Sequence, residues 1–230
     1  MTRLALVTGG GTGIGRAVGE RLTAEGWRVI AAGLAADPDL PDAITFVEAD
    51  VSDIASLSAK LPAFERLNGL VLCAGILRHE REWQEDAFAE VMAINVTAGF
   101  ALANAMLPRL EAAGGAVVTM ASMWSIFGSP GAPAYTASKG AVAAMTRSMA
   151  VAWAPRGVRA NAVAPGWVET AMTQRARDDG DRRARIGARI PMGRWARPAD
   201  IAAVIHFLLS GDASYVTGVV LPVDGGYAVA

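Results

Sequence analysis

Residues 4–15 read Leu4-Ala5-Leu6-Val7-Thr8-Gly9-Gly10-Gly11-Thr12-Gly13-Ile14-Gly15. The apolar run Leu4–Thr8 has the length of a buried strand, the glycines form a turn, and Gly15 to Glu25 reads as a helix. Glycine is needed where a chain turns sharply and where a side chain would block a bound phosphate. The free N–H groups and dipole at the start of the following helix hold a pyrophosphate. The competing reading is a glycine-rich turn with no ligand; the strand on one side and the helix on the other favour a dinucleotide.

Outward from this turn, short apolar runs alternate with longer alanine-rich stretches, the habit of a parallel sheet covered by helices. Strands are predicted at Leu4 to Thr8, Arg28 to Ala32, Thr45 to Glu48, Gly69 to Cys73, Ala116 to Met120, Arg159 to Val163 and Val219 to Val223. Helices are predicted at Gly15 to Glu25, Ile54 to Leu61, Glu85 to Glu111, Tyr135 to Ala154 and Pro198 to Leu209. The expected fold is α/β: a doubly wound Rossmann-type sheet of about seven parallel strands with helices on both faces. No repeat or flexible linker breaks the pattern, so residues 1–230 are expected to form one domain. The stretch 169–197 holds eight arginines and is expected to be a substrate lid or a solvated helix.

Composition narrows the function. A formal net charge of -1 supplies no field to attract nucleic acid or an anionic membrane. No uninterrupted apolar run reaches the roughly 18 residues that span a bilayer, and the first strand is too short for a signal sequence. Cys73 is the single cysteine and His79 and His206 lie far apart, so neither a disulfide nor a metal site is expected. A cytoplasmic setting is expected. With 53% apolar and 19% charged residues, part of the surface is expected to be covered by further copies of the chain.

Four polar residues carry the expected chemistry. Tyr135 and Lys139 are one helical turn apart on one face, and an ammonium beside a phenol is expected to lower the tyrosine pKa toward neutrality. A surface contact between the two is the bland alternative. Ser122 follows the strand ending at Met120, at the sheet edge where ligands bind, and would hydrogen-bond a substrate oxygen as charge develops on it. Alone it reads as a turn residue. Asn95, among Val91, Met92, Ile94 and Val96, has little room for a solvent-facing role and is expected to be functional.

The turn is not the generic GxGxxG but TGxxxGxG, with Gly9, Gly13 and Gly15 in place. Together with Asn95, Ser122, Tyr135 and Lys139 in that order, it resembles the classical short-chain dehydrogenase/reductase family across essentially the whole chain. The resemblance implies NAD(P)-dependent interconversion of a secondary alcohol and a ketone. Tyr135 would transfer the proton, Ser122 orient the carbonyl, Lys139 hold the nicotinamide ribose and Asn95 hold a relay water. It places cofactor contacts at Gly9, Thr12, Gly13, Ile14 and Gly15, at Asp50 and Val51 beside the adenine, and at Ala74 and Gly75. Pro165, Gly166, Val168 and Thr170 would meet the nicotinamide end, with Tyr135 and Lys139. Val216-Thr217-Gly218 and Asp224-Gly225-Gly226 look like the family's closing strand and tail. One departure is Cys73-Ala74-Gly75, where Asn-Ala-Gly is usual; Cys73 is read as a packing residue, with no cation or base expected beside it.

Three other readings remain: a cis-dihydrodiol dehydrogenase with the same four residues, an enoyl reductase, which usually spaces its tyrosine and lysine more widely, and a silent dinucleotide-binding regulator. NAD is favoured over NADP, which remains possible. The end of the second strand holds Gly33-Leu34 with no cation, Gly11 and Thr12 replace the arginine of many NADP enzymes, and Asp37 could fold back to repel a phosphate. A homotetramer is expected, built on the helix with Ala137, Ala141, Ala144, Ser148, Met145, Met149 and Trp153. Trp124, Phe127 and Trp167 are candidates for an apolar substrate wall. The arginines of 173–197 read as a solvated face ahead of an anion site.

Overall fold

The computed structural model describes residues 2–230. Leu4 and Leu6 point to one side of their strand, Ala5 and Val7 to the other, and all four are buried, so this strand needs cover on both faces. The same holds across a seven-stranded parallel sheet in the order β3-β2-β1-β4-β5-β6-β7. Its strands are β1 (Leu4–Thr8), β2 (Arg28–Gly33), β3 (Ile44–Glu48), β4 (Gly69–Leu72), β5 (Ala116–Met120), β6 (Arg159–Pro165) and β7 (Val220–Val223). Each predicted strand is present within two residues at either end.

The helices are α1 (Gly13–Ala24), α2 (Ile54–Lys60), α3 (Glu85–Met92), α4 (Gly99–Ala113), α5 (Pro133–Trp153), α6 (Gln174–Asp178), α7 (Gly180–Ala188) and α8 (Pro198–Leu209). Leu4, Leu6 and Leu70 pack with Leu57 of α2, Leu102, Met106 and Leu110 of α4 and Met149 and Trp153 of α5. On the opposite face Ala5, Val7 and Val71 pack with Val18 and Leu22 of α1 and Ile201, Ile205 and Leu208 of α8. Strand order reverses between β1 and β4, and their carboxyl ends open the crevice where such sheets bind ligands.

Two expectations need correction. The predicted helix from Glu85 to Glu111 runs on to Ala113 but is not uniform: a π-helical segment, Ala93–Ala98, separates α3 from α4. Periodicity could not show this, because one wider turn leaves the apolar pattern nearly intact. The combined helix, 29 residues with a mean hydropathy of 1.5 over its best window, is by length and composition apolar enough to cross a membrane. Here Leu102, Met106 and Leu110 are spent on the sheet core. The second correction concerns α5: Met149 and Trp153, expected at an interface between copies, are buried against the sheet instead.

The 169–197 stretch contains α6 and α7 and has its own small core. Ala176, Ile186, Ile190 and Trp195 close over Met123 and Tyr227. Its arginines are mainly exposed, but the helices carrying them are anchored by an apolar underside.

Candidate active site

The glycine turn fits a pyrophosphate. Gly9 and Gly13 have φ of 62° and 52°, the left-handed region where a side chain strains the backbone. A Cβ on Gly15 would stand 2.1 Å from the Gly9 carbonyl oxygen, and one on Gly9 2.9 Å from the Ala74 nitrogen. The Ala74 N–H donates to the Thr8 hydroxyl (3.2 Å), tying the ends of β1 and β4 together. Thr12 stands at the N-cap of α1 in extended conformation without capping the helix through its side chain, and the first turn, with Ile14 and Gly15, carries no acid. The N–H groups and positive end of α1 are therefore available to an anion. Thr170 faces the same turn, its methyl 3.5 Å from where a Gly13 Cβ would lie. Asp50 and Val51 follow β3; Asp50 accepts from the Ser52 N–H (2.8 Å) and hydroxyl (2.7 Å), which holds its carboxyl below the usual range.

Beside the turn, Ser122, Tyr135 and Lys139 converge on a cavity of about 380 Å³ with Gly75, Pro165, Gly166, Val168 and Thr170 around it. The Ser122 oxygen accepts from the Trp124 N–H at 3.2 Å, which leaves the hydroxyl hydrogen to donate elsewhere. Lys139 is buried, and its Nζ donates to the Met120 carbonyl (2.7 Å) while standing 5.2 Å from the centre of the Tyr135 ring. Burial pulls the Lys139 ammonium down to about 8, so it titrates near neutrality.

The expected lowering of the tyrosine does not occur. Burial pushes the Tyr135 phenol up to about 12; the Ser122 hydroxyl opposes this and the Glu82 carboxylate adds to it. Desolvation of the phenolate outweighs a lysine whose ammonium is directed to a backbone carbonyl. The protein's own groups thus hold Tyr135 protonated at neutral pH, as a proton donor.

Asn95 lies in the π segment, and such segments often mark functional positions. Its Oδ1 accepts from the Ile76 N–H (2.7 Å), and its Nδ2 donates to the Ile76 carbonyl (3.0 Å) and the Ser138 hydroxyl (3.1 Å). The amide clamps the chain leaving β4 to α5. Gly75 makes this approach possible: a Cβ there would be 3.1 Å from Asn95 Oδ1 and 3.7 Å from Lys139 Nζ. The four residues are therefore gathered, with Asn95 behind the cavity wall.

Cys73 does have a cation nearby, contrary to expectation: Lys139 draws its pKa down, but burial dominates and pushes the thiol up to about 12. It stays a neutral packing group. Of the proposed aromatic wall, Trp124 and Trp167 line the cavity, their rings edge-on at 6.2 Å, while Phe127 turns away to Tyr227.

Glu82 was not foreseen. It sits in a 3-10 turn, His79–Trp83, and is 1% exposed. Its two oxygens accept from the Arg78 and Tyr135 N–H groups, each at 2.8 Å. Helix α5 has no side-chain cap of its own, so Glu82 satisfies a donor of its first turn and places a negative charge at its positive end. Nothing in the charged run His79-Glu80-Arg81-Glu82 marks this glutamate apart from Glu80. His79, which lines the cavity, has φ of 54°, uncommon for a residue with a side chain.

The family described as enoyl-(acyl carrier protein) reductase matches residues 9–228. Among known proteins, galactitol 2-dehydrogenase (L-tagatose-forming) of Cereibacter sphaeroides is 42% identical over 98% of this chain and 94% of its own length. The 2-(R)-hydroxypropyl-CoM dehydrogenase of Xanthobacter autotrophicus is 38% identical over 99% of both chains. A solved structure of a putative NAD(P) dependent gluconate 5-dehydrogenase from Beutenbergia cavernae, with bound NADP at low occupancy, superposes with a TM-score of 0.92. It is 40% identical and covers 99% of this chain and 97% of that one.

Proposed function

Because the chain belongs to the short-chain dehydrogenase/reductase family and is an NAD(P)-dependent oxidoreductase of secondary alcohols and ketones, we propose that Tyr135 moves the proton. The observation that carries this is the convergence of Ser122, Tyr135 and Lys139 on one cavity beside the glycine turn. Gly9, Thr12, Gly13, Ile14 and Gly15 would hold a nicotinamide cofactor, which would supply the hydride acceptor or donor. In oxidation the Tyr135 phenolate, the form that grows as pH rises, takes the hydroxyl proton at Oη; in reduction the phenol gives it back to the substrate oxygen. Ser122 donates to the substrate oxygen, and the Lys139 charge favours the phenolate when it forms. The turn residues, with Ala74, Pro165 and Val168, position the two reactants. An enoyl reductase is disfavoured by the close spacing of Tyr135 and Lys139. A panel of secondary alcohols, cis-diols and enoyl thioesters assayed by nicotinamide absorbance separates these readings. A chain inert on all of them would be the regulator.

NAD is the favoured cofactor. The loop after β2 folds back onto the glycine turn, its Asp37 N–H donating to the Gly11 carbonyl (3.0 Å). A Cβ on Gly11 would meet the Ala35 carbonyl oxygen at 2.2 Å, so a long basic side chain has no room there. Arg16 is held by Asp37 (3.0 Å), Asp39 (2.6 Å) and Glu20 (2.8 Å), one cation among three carboxylates. This pairing raises the arginine further and lowers Asp39. A 2′-phosphate would meet net negative charge here. With any accepted alcohol, kcat/KM for NAD is expected to exceed that for NADP by about tenfold or more, each tenfold being about 1.4 kcal/mol; a tenfold advantage for NADP overturns this.

The assembly is proposed to be a cytoplasmic homotetramer, acting on a small molecule away from nucleic acid and membrane. Two apolar faces support it. One is the outer side of α4 and α5, with Phe100, Val151, Ala137 and Ala144 exposed. The other is the edge strand β7 with Phe207 of α8. Two separate apolar faces suit a tetramer with three two-fold axes. Light scattering at micromolar concentration is expected to give four times the chain mass; a monomer would contradict it. Residues 169–197 are proposed to form the substrate lid.

A further inference from the structure

Of the six arginines between Arg175 and Arg189, the structure brings only Arg175 and Arg182 to the cavity wall. Their situations differ. Arg175 is paired with Glu80 at 3.2 Å, a link between α6 and the turn after β4. Arg182 is half-buried on α7, its guanidinium 6.0 Å over the Trp167 ring. Among the described residues no carboxylate lies within 4.0 Å of it and its side chain makes no hydrogen bond, so all five of its N–H donors are uncommitted. At 6.0 Å the cation–π attraction of the indole restrains the guanidinium only weakly, and its planar fork can still meet a carboxylate with two parallel hydrogen bonds.

The rest of the cavity sets what such an anion is attached to. Ser122 and Tyr135 mark the reacting end, and Trp124, Trp167 and Met172 add apolar surface to the wall they share with Arg182. The one acid on the wall, Glu80, is engaged by Arg175. We propose that the substrate is a hydroxy acid or keto acid, a secondary alcohol or ketone joined through a short apolar spacer to a carboxylate that Arg182 receives. This rests on the dehydrogenase reading of the same cavity. Helix α7 is seated by Ile186 on the Met123–Tyr227 cluster, which fixes the helix that carries Arg182 at the cavity wall.

The test uses purified enzyme with NAD and (ω-1)-hydroxy acids of about four to eight carbons, each beside its primary amide, which keeps shape and removes charge. At least one acid is expected to exceed its amide in kcat/KM by about tenfold or more, the range of a charge-assisted hydrogen-bonded pair. Arg182→Gln should erase that ratio by raising KM for the acid at least about tenfold more than for the amide. Arg182→Lys should restore part of it, and Arg183→Gln, on the same helix but away from the cavity, should keep it. Amides used as well as acids, or a ratio that survives Arg182→Gln, overturns the inference and leaves the dehydrogenase reading standing. If no compound is turned over, tryptophan fluorescence of the NAD-loaded enzyme titrated with the acids decides. Quenching lost in Arg182→Gln supports the anion site while the dehydrogenase reading falls; no quenching in the parent protein overturns the anion site.

Discussion

Replacing Tyr135 with phenylalanine is expected to lower kcat by at least about a hundredfold in both directions, the lower end of general acid-base catalysis, with cofactor affinity retained. The ring fills the same space, so the loss is that of the hydroxyl. The pH profile identifies the group. With the phenol pushed up to about 12, the base form needed for oxidation grows as pH rises. The oxidation rate should therefore climb from about pH 7 to pH 10, while reduction, which needs the neutral phenol, should not. Near-parental kcat in the variant, or an oxidation rate flat across that range, would sink the assignment. Stopped-flow absorbance with saturating cofactor reads both.

The second large effect is expected at Glu82. Alanine there removes a buried acceptor from two backbone N–H groups, one of them in the uncapped first turn of α5. Hydrogen bonds to a charged group contribute about 1.5–3 kcal/mol each, and their buried donors would be left unpaired. A loss of about 2–4 kcal/mol, or roughly 4–8 °C in Tm, follows for a chain of this length. Because Tyr135 is the residue whose N–H is held, turnover should fall about tenfold or more in the folded fraction, as small misplacements cost at reacting centres. Glu82→Gln separates charge from contact. Since the carboxylate raises the Tyr135 pKa, its neutralisation should move the alkaline limb of oxidation to lower pH. Calorimetry showing an unchanged Tm for the alanine variant would refute the structural part, and an unmoved limb the electrostatic part.

What was legible in the sequence was local. The alternation of Leu4, Ala5, Leu6 and Val7 before the glycines implied a strand buried on both faces, and the fold followed from repeating that pattern seven times. Tyr135 and Lys139 were legible because one helical turn brings them together whatever surrounds them. What depends on distant chain was not. Glu82 meets Tyr135 across 53 positions, and its own neighbours are equally charged. The direction of the tyrosine shift was misread because spacing shows the lysine but not the desolvation, nor the Met120 carbonyl that occupies the ammonium. The arginines of the lid could be counted but not sorted; only packing of Ile186 and Trp195 decides which side of α7 faces inward.

The Arg16 cluster bears on how this enzyme could change its cofactor. Its strand end offers no acid to remove, and the backbone over Gly11 leaves no room to add a base. Yet a cation is already present one turn into α1, masked by Asp37 and Asp39. Both masking residues sit on a loop that contributes little to the sheet core, so their loss would be tolerated while the glycine turn stays intact. Under the proposed NAD preference, removing the Asp37 and Asp39 carboxylates would unmask Arg16 as a receptor for phosphate, so a gain toward NADP is expected from deleting charge, not from acquiring it.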